Sequence, residues 1–408
     1  MQRRLLLTVV CIVQLLCHEI AVAQWISQAS GTNQTLLGVS FTSANVGIAV
    51  GVNGLILRTT NGGNNWNVQT SGTTRFLRSV HFTDANTGTA AGESGLILRT
   101  TNGGVNWASQ ASGTTNTFVH VHFSDTNTGN AVGLNGTITR TNDGASWSNQ
   151  ISGTTVELAG VYLANRNVGA IVGFGGIILR TTNGGATWSR QNSGVTTDLR
   201  SVHFVNADTG FVVGYNGTIL RTNNGGTNWT RQTSGTANNL FSVHFVDANI
   251  GTAVGTGVIL RTTNGGSTWR SQISGVTSDL YSVHFSDLNN GAAVGQLGRI
   301  LRTTNGGGTT KVEEKDSAPP EKFGLEQNYP NPFNPTTKIR YYLPSQQFVA
   351  LKLFDLLGHE ITTLVNHHQT AGEYEVVVDA AILRDSGVYF YRLTAGQYSA
   401  NRKMLFVE

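Results

Sequence analysis

The sequence predicts an all-β protein in which a seven-bladed β-propeller is followed by a small C-terminal β-sandwich. The tryptophans recur every 40 or 41 residues, at Trp25, Trp66, Trp107, Trp147, Trp188, Trp229 and Trp269. Each interval holds four short β-rich runs separated by clusters of Gly, Asn and Asp, a pattern typical of one propeller blade. All six prolines lie between Pro319 and Pro344, and the strand-like runs after them indicate a second, different domain.

Each repeat divides into four strands, A to D. After Trp66, strand A is predicted at residues 77–82, strand B at 88–92 and strand C at 96–100, and strand D starts at Trp107. The chain enters the repeats with a strand D at Trp25 and leaves them with a strand C at Arg302. We therefore expect the N-terminal strand to close the last blade beside residues 299–304, which removes an open sheet edge.

Composition and motifs exclude several classes of function. Only 12% of residues are charged, the formal net charge is +4, and residues 24–310 contain no lysine, so we expect no nucleic-acid partner. The sequence has no P-loop, dinucleotide fingerprint or H-E-x-x-H motif, so we expect no cofactor and no metal.

The N-terminus predicts a secretory signal peptide over residues 1–23. Arg3 and Arg4 precede an apolar run at residues 5–16, and Ala21-Val22-Ala23 forms a cleavage site. No later apolar run is long enough to span a membrane, so we expect no transmembrane segment in the mature chain. The other predicted boundaries are a propeller at residues 24–309, a linker at 310–322 and a β-sandwich at 323–408.

The turn between strands C and D carries a recognisable motif. Residues 59–66 read T-T-N-G-G-N-N-W, which resembles the Asp-box (BNR) repeat S/T-x-D-x-G-x-x-W, and aligning the copies predicts Asn at the Asp position in each. The whole repeat is similar to those of photosystem II assembly and stability factors. In these turns Asn caps the backbone, Gly takes a positive φ and Trp packs between blades. The residues we assign to this structural role are Asn61, Gly63, Trp66, Asn102, Gly104, Trp107, Asn183, Gly185 and Trp188.

The C-terminal segment resembles the sorting domain of type IX secretion in Bacteroidota and neighbouring phyla. The matching stretches are N-Y-P-N-P-F-N-P-T-T at 328–337, L-L-G at 356–358, S-G-V-Y at 386–389 and Lys403-Met404. The resemblance implies that residues 323–408 engage the type IX machinery. It also implies a secreted protein, either extracellular or anchored at the outer-membrane surface.

Several repeated residues are candidate ligands. One position of strand A reads Ser40, His81, His122, Tyr162, His203, His244 and His284, a ring that could bind a metal or an anion. No carboxylate or cysteine recurs beside it, and we expect the distances between blades to exceed coordination distance, so a structural role is favoured. The strand C arginines and the D-x-N-x-G segments are likewise expected to be structural, the latter as Asx turns rather than calcium loops.

The remaining alternatives are catalysis and binding. Residues 24–310 hold only two glutamates, Glu93 and Glu157, whereas glycosidases need paired carboxylates, so we expect no enzyme activity and keep a sialidase-like glycoside hydrolase as the alternative. The B–C and D–A connections share one face and vary between blades, as in a binding protein. We predict a recognition module for an extracellular glycan or protein, or an assembly factor for another exported protein. The candidate ligand-binding residues on this face are Phe76, Leu134, Phe174 and Tyr215.

Overall fold

The computed structural model describes residues 25–307, 322–334, 336–380, 383 and 385–407. The predicted signal peptide and nearly all of the predicted linker lie outside these residues. The described chain forms two compact units, divided after Gly307. Its regular structure consists of strands and five short 3-10 turns, which confirms the all-β fold class.

The first unit contains seven four-stranded antiparallel sheets, which are the blades of the propeller. Blade 1 consists of β2 (Leu36–Phe41), β3 (Gly47–Gly51), β4 (Ile56–Thr59) and β5 (Asn67–Gln69). Blade 2 consists of β6 (Leu77–Phe82), β7 (Gly88–Gly92), β8 (Ile97–Thr100) and β9 (Ala108–Gln110). Blade 3 consists of β10 (Phe118–Phe123), β11 (Gly129–Gly133), β12 (Ile138–Thr141) and β13 (Ser148–Gln150). Blades 4 and 5 are β14 (Leu158–Leu163), β15 (Gly169–Gly173), β16 (Ile178–Thr181), β17 (Ser189–Gln191); and β18 (Leu199–Phe204), β19 (Gly210–Gly214), β20 (Ile219–Thr222), β21 (Thr230–Gln232). Blades 6 and 7 are β22 (Leu240–Phe245), β23 (Gly251–Gly255), β24 (Val258–Thr262), β25 (Arg270–Ser271); and β26 (Leu280–Phe285), β27 (Gly291–Gly295), β28 (Ile300–Thr303) with β1 (Ile26–Gln28).

The N-terminal strand completes the seventh blade. Strand β1 pairs antiparallel with β28, with Ile26 opposite Arg302 and Gln28 opposite Ile300. Trp25, which precedes β1, is 1% exposed and its indole N–H donates to Gln272 Oε1 at 2.8 Å. The first and last segments of the propeller are therefore held in one sheet, which ties the ring of blades together.

The propeller core lies between neighbouring blades. One cluster packs Ile48 and Val50 of blade 1 against Leu77 and Val80 of blade 2, and the other blades repeat this arrangement. Within a blade, the tryptophan before the outer strand contacts the last phenylalanine of the inner strand edge to face. The six pairs, with ring centroids 5.7 to 6.1 Å apart, are Trp25–Phe285, Phe41–Trp66, Phe82–Trp107, Phe123–Trp147, Phe204–Trp229 and Phe245–Trp269.

Side-chain hydrogen bonds hold each C–D turn. The Thr59 hydroxyl accepts from the Gly63 N–H at 2.9 Å, Asn61 Oδ1 accepts from the Asn65 N–H at 3.0 Å, and Gly63 has a φ of +90°. The prediction of Asn in every copy was wrong for blade 3, whose turn is one residue shorter. There Asp143 accepts from the backbone N–H groups of the two residues before Trp147, at 2.7 and 2.9 Å. An amide and a carboxylate fill the position equally because each offers the required acceptor oxygen.

The second unit is a β-sandwich of two sheets. A three-stranded sheet contains β29 (Gly324–Leu325), β30 (Thr336–Leu343) and β33 (Gly372–Asp379), and a four-stranded sheet contains β31 (Gln347–Phe354), β32 (Glu360–Gln369), β34 (Gly387–Ala395) and β35 (Tyr398–Phe406). Alternate residues of both sheets enter one core, including Tyr341, Val378, Leu351, Tyr391 and Met404. The period-two pattern of these runs is what predicted strands with one buried face.

Candidate binding site at the mouth of the central channel

The inner strands of the seven blades surround a central channel with a cavity of about 200 Å³. The second residue of each inner strand lies at this cavity or on its rim and differs from blade to blade. These residues are Leu37, Arg78, Val119, Ala159, Arg200, Phe241 and Tyr281. The first and fourth residues are apolar and buried in every blade, so the second residue is free to vary without loss of the core.

Four aromatic rings from four consecutive blades form a continuous arc, here called the aromatic crescent. It consists of Phe174, Tyr215, Phe241 and Tyr281. Successive ring centroids are 6.5, 6.2 and 5.4 Å apart, within the range of favourable aromatic contacts. Each ring is half-buried, so part of its surface stays accessible at the channel mouth.

Charged and polar groups fix both ends of the aromatic crescent. The Arg200 guanidinium lies 5.4 Å from the Phe174 ring centroid and 5.7 Å from that of Tyr215, and it pairs with Glu157 at 3.3 Å. At the other end, Gln296 Nε2 donates to the Tyr281 hydroxyl and to Asp279, each at 3.0 Å. These contacts hold the rings in place before any ligand arrives, which lowers the entropy cost of binding.

The structure brings together only part of the residue set predicted from the sequence. Phe174 and Tyr215 contact each other, whereas Leu134 opens the corresponding 3-10 turn of blade 3 and Phe76 is tied to its own blade by an N–H donated to Glu93 at 3.1 Å. Sequence reasoning missed Phe241, Tyr281 and Arg200. A comparison of position 2 among the inner strands would have found them, because its side chains range from small apolar to aromatic and cationic, whereas the first and fourth positions are apolar in every blade.

The ring of Ser40, His81, His122, Tyr162, His203, His244 and His284, here called the histidine ring, is tighter than the sequence predicted. Ring centroids in consecutive blades from His81 to His284 are 3.9 to 4.7 Å apart. Neighbouring rings contact each other directly because the inner strands converge on the axis. Burial lowers the pKa of His81 and His203 to about 3 and that of His284 to about 4, so these imidazoles are neutral at pH 7.

The other repeated polar residues connect neighbouring blades. The guanidinium groups of Arg58 and Arg140 donate to backbone carbonyls of the next blade's C–D turn, at 2.8 and 2.6 Å. In the A–B turns, Asp84 accepts from two backbone N–H groups at 2.8 and 2.9 Å, and Asp247 does the same. The arginine contacts therefore link neighbouring blades, and the aspartate contacts form Asx turns within one blade.

Among the residues that the structure describes, no cluster of His, Cys, Asp or Glu has the arrangement of a metal site. Within the same part of the chain, no helix has the length and apolar character needed to cross a membrane.

Seven four-stranded blades with Asp-box-like turns define the class of protein, a repeat β-propeller with one variable face. The chain belongs to the family described as photosynthesis system II assembly factor YCF48, whose sequence model matches residues 17–115, 106–196 and 191–274. That description denotes a binding or assembly role rather than a catalytic one. Residues 327–407 match a secretion system C-terminal sorting domain, which indicates export to the cell surface or the exterior.

Solved structures show the same fold. YCF48 bound to a D1 peptide is 21% identical with a TM-score of 0.60, and the match covers 70% of this chain and 96% of that one. YCF48 from Cyanidioschyzon merolae is 20% identical with a TM-score of 0.57, covering 68% and 98%. The WD40 propeller domain of Doa1 is 13% identical with a TM-score of 0.58, covering 68% and 96%. No curated protein matches the chain.

Proposed function

We propose that this protein is an exported, non-catalytic propeller that binds a segment of another exported or surface protein at the aromatic crescent. The observation that carries the proposal is the unbroken run of aromatic rings from Phe174 to Tyr281 across four blades. Half-buried aromatic side chains beside a guanidinium are the kind of anchor that dominates protein interfaces. The predicted boundaries, with a mature propeller at residues 24–309 and a sorting domain at 323–408, belong to the same proposal.

A peptide segment fits this surface better than a second folded domain. The crescent is a single row of four rings, each in contact with the next, and its polar groups lie at its two ends, at Arg200 and Asp279. An extended chain could place apolar side chains on successive rings, because alternate side chains of such a chain point the same way. The relative solved with a D1 peptide is a precedent for peptide binding by this fold. A glycan could also stack on these rings, so the experiment includes it.

The test begins with a phage-displayed library of random peptides selected on the immobilised full chain, and a glycan array is probed in parallel. Enriched peptides are then measured by fluorescence anisotropy against Phe174→Ala/Tyr215→Ala. We expect affinity to fall by about tenfold or more, because each anchor contributes about 1 kcal/mol or more.

Two matched variants serve as controls. Val52→Ala changes the same turn position in blade 1, which carries no crescent residue, and Tyr215→Phe keeps the ring. Both should retain binding. If the enriched peptides bind the double alanine variant as well as the wild type, the crescent is not the site. Saturable glycan binding without peptide binding would overturn the proposal of a protein partner.

A further inference from the structure

The repeat sets the tautomer of the histidine ring. The Leu163 N–H donates to His122 Nδ1 at 3.1 Å, and the Phe41 N–H donates to His284 Nδ1 at 3.3 Å. Both donors belong to the inner strand of the next blade. A neutral imidazole that accepts at Nδ1 carries its proton on Nε2, so His122 and His284 present Nε2–H groups as donors. The Nδ1 atoms of His81, His203 and His244 have no hydrogen-bond partner among the described residues.

These donors face the channel without protein acceptors. The Nδ1 atoms of His81, His203 and His244 are buried without a partner, so a proton there would be a buried donor with no acceptor, whereas Nε2 is the accessible side of the imidazoles that line the cavity. Among the residues that the structure describes, no protein group accepts a hydrogen bond from any of these Nε2 atoms. Donors that converge in a confined space need an acceptor from solution, because an unmade buried hydrogen bond costs free energy.

The charge around the cavity favours an anion over a cation. Its lining contains Arg78 and Arg200 and no carboxylate. Arg200 is paired with Glu157 outside the lining, which leaves Arg78 as the lining arginine without an ion pair among the described residues. Arg99 adds positive potential from outside, enough to contribute to the lowered pKa of His81. A metal ion would need the Nε2 lone pairs that the protons occupy, which the Nδ1 contacts oppose.

We propose that the histidine ring binds a small monovalent inorganic anion of the size of chloride in the central channel. Nε2–H groups from several blades would donate to it, and the arginines near the channel mouth would balance its charge. The site shares the channel cavity and Arg200 with the aromatic crescent, but it lies at the histidine ring and does not depend on the proposed peptide partner.

The first test is a chloride titration of the ¹⁵N-labelled full chain at constant ionic strength, with gluconate as the replacing anion. Long-range ¹H–¹⁵N spectra of the imidazoles report the tautomer and the binding together. We expect Nε2–H tautomers and a saturable shift of the ring signals. Nδ1–H tautomers, or shifts that grow linearly without saturation, would overturn the proposal and leave water as the acceptor.

A double variant, His203→Ser/His244→Ser, tests the ring directly. Serine is a matched replacement because Ser40 fills this position in blade 1, where its hydroxyl accepts the Phe82 N–H at 3.3 Å. We expect the apparent dissociation constant for chloride to rise by about tenfold or more with the loss of two donors. His359→Ser is the control, since His359 is exposed in the second unit. Unchanged chloride binding by a folded double variant would reject the site. If that variant does not fold, the chloride titration of the wild type decides whether the site exists.

Discussion

Side chains at the third and fifth positions of several inner strands accept hydrogen bonds from the next blade. At the third position, Ser79 accepts the Val121 N–H at 3.3 Å, and Ser282 accepts the Val39 N–H at 3.3 Å across the closure of the ring. At the fifth position, His122 accepts the Leu163 N–H at 3.1 Å. The recurring Ser and His residues are thus explained by main-chain groups that neighbouring sheets leave unpaired.

At the residue scale, the C–D turn depends on an acceptor oxygen. Asn61→Ala should lower the free energy of unfolding by about 1 kcal/mol, because the Asn65 N–H loses its partner. Asn61→Asp should leave it nearly unchanged, since Asp143 fills the same position in blade 3. Urea denaturation of the two variants and the wild type measures this. Equal losses for both variants would show that the oxygen is not what the turn requires.

A second residue-scale prediction concerns the glycine that ends strand B. A Cβ on Gly92 would overlap the carbonyl oxygen of Phe76, which is backbone and cannot move aside. Gly92→Ala should therefore lower the free energy of unfolding by about 3 kcal/mol. Gly387→Ala is the control, because nothing lies within 4 Å of the added methyl. A Gly92 variant as stable as the control in thermal unfolding would contradict the packing argument.

At the element scale, the closing strand depends on Trp25. Its ring is 1% exposed and contacts Phe285 edge to face at 5.8 Å between centroids. Trp25→Ala should lower the free energy of unfolding by about 3 to 5 kcal/mol and free the edge of β28. Ile26→Ala, in the same strand but 61% exposed, should change it by less than about 0.5 kcal/mol.

Denaturant unfolding and size-exclusion chromatography test this closure. The Trp25 variant should unfold at lower denaturant and form oligomers through the freed strand edge, whereas the Ile26 variant should do neither. If both variants behave as the wild type, β1 contributes little to ring closure.

At the scale of the whole molecule, the buried histidines make the propeller sensitive to acid. Their pKa lies at about 3 to 4 for His81, His120, His203 and His284, against 6.5 in an unfolded chain. Between about pH 4 and 6.5 the unfolded chain therefore binds more protons than the folded one. The free energy of unfolding is therefore highest above pH 6.5. It falls as the pH drops below 6.5, by about 1.4 kcal/mol per pH unit for each histidine.

Denaturant unfolding at several pH values between 7.5 and 5, at constant ionic strength, measures this slope. The variant His203→Ser/His244→Ser should reduce the slope by the contribution of two protons, because burial lowers the pKa of both imidazoles. A wild-type slope near zero in this range would show that the ring is not what limits acid stability.

The blade count, the strand order and the closure of the ring could be predicted from the sequence, because tryptophans and turn residues recur at the period of one blade. The sandwich could be predicted as well, because its strands alternate with a period of two, as at Tyr341 and Leu343 in β30. The contacts that form the propeller turns are local, so the turns can be predicted from the sequence of a single repeat.

Which side chains meet at the channel could not be predicted from the sequence and is seen in the folded chain. Phe174 and Tyr281 are more than 100 positions apart in the chain, yet Tyr215 and Phe241 join them into one surface. The side chains of the histidine ring contact one another for the same reason. Radial convergence sets distances between blades, and it depends on how seven sheets pack around one axis rather than on the sequence of any one of them.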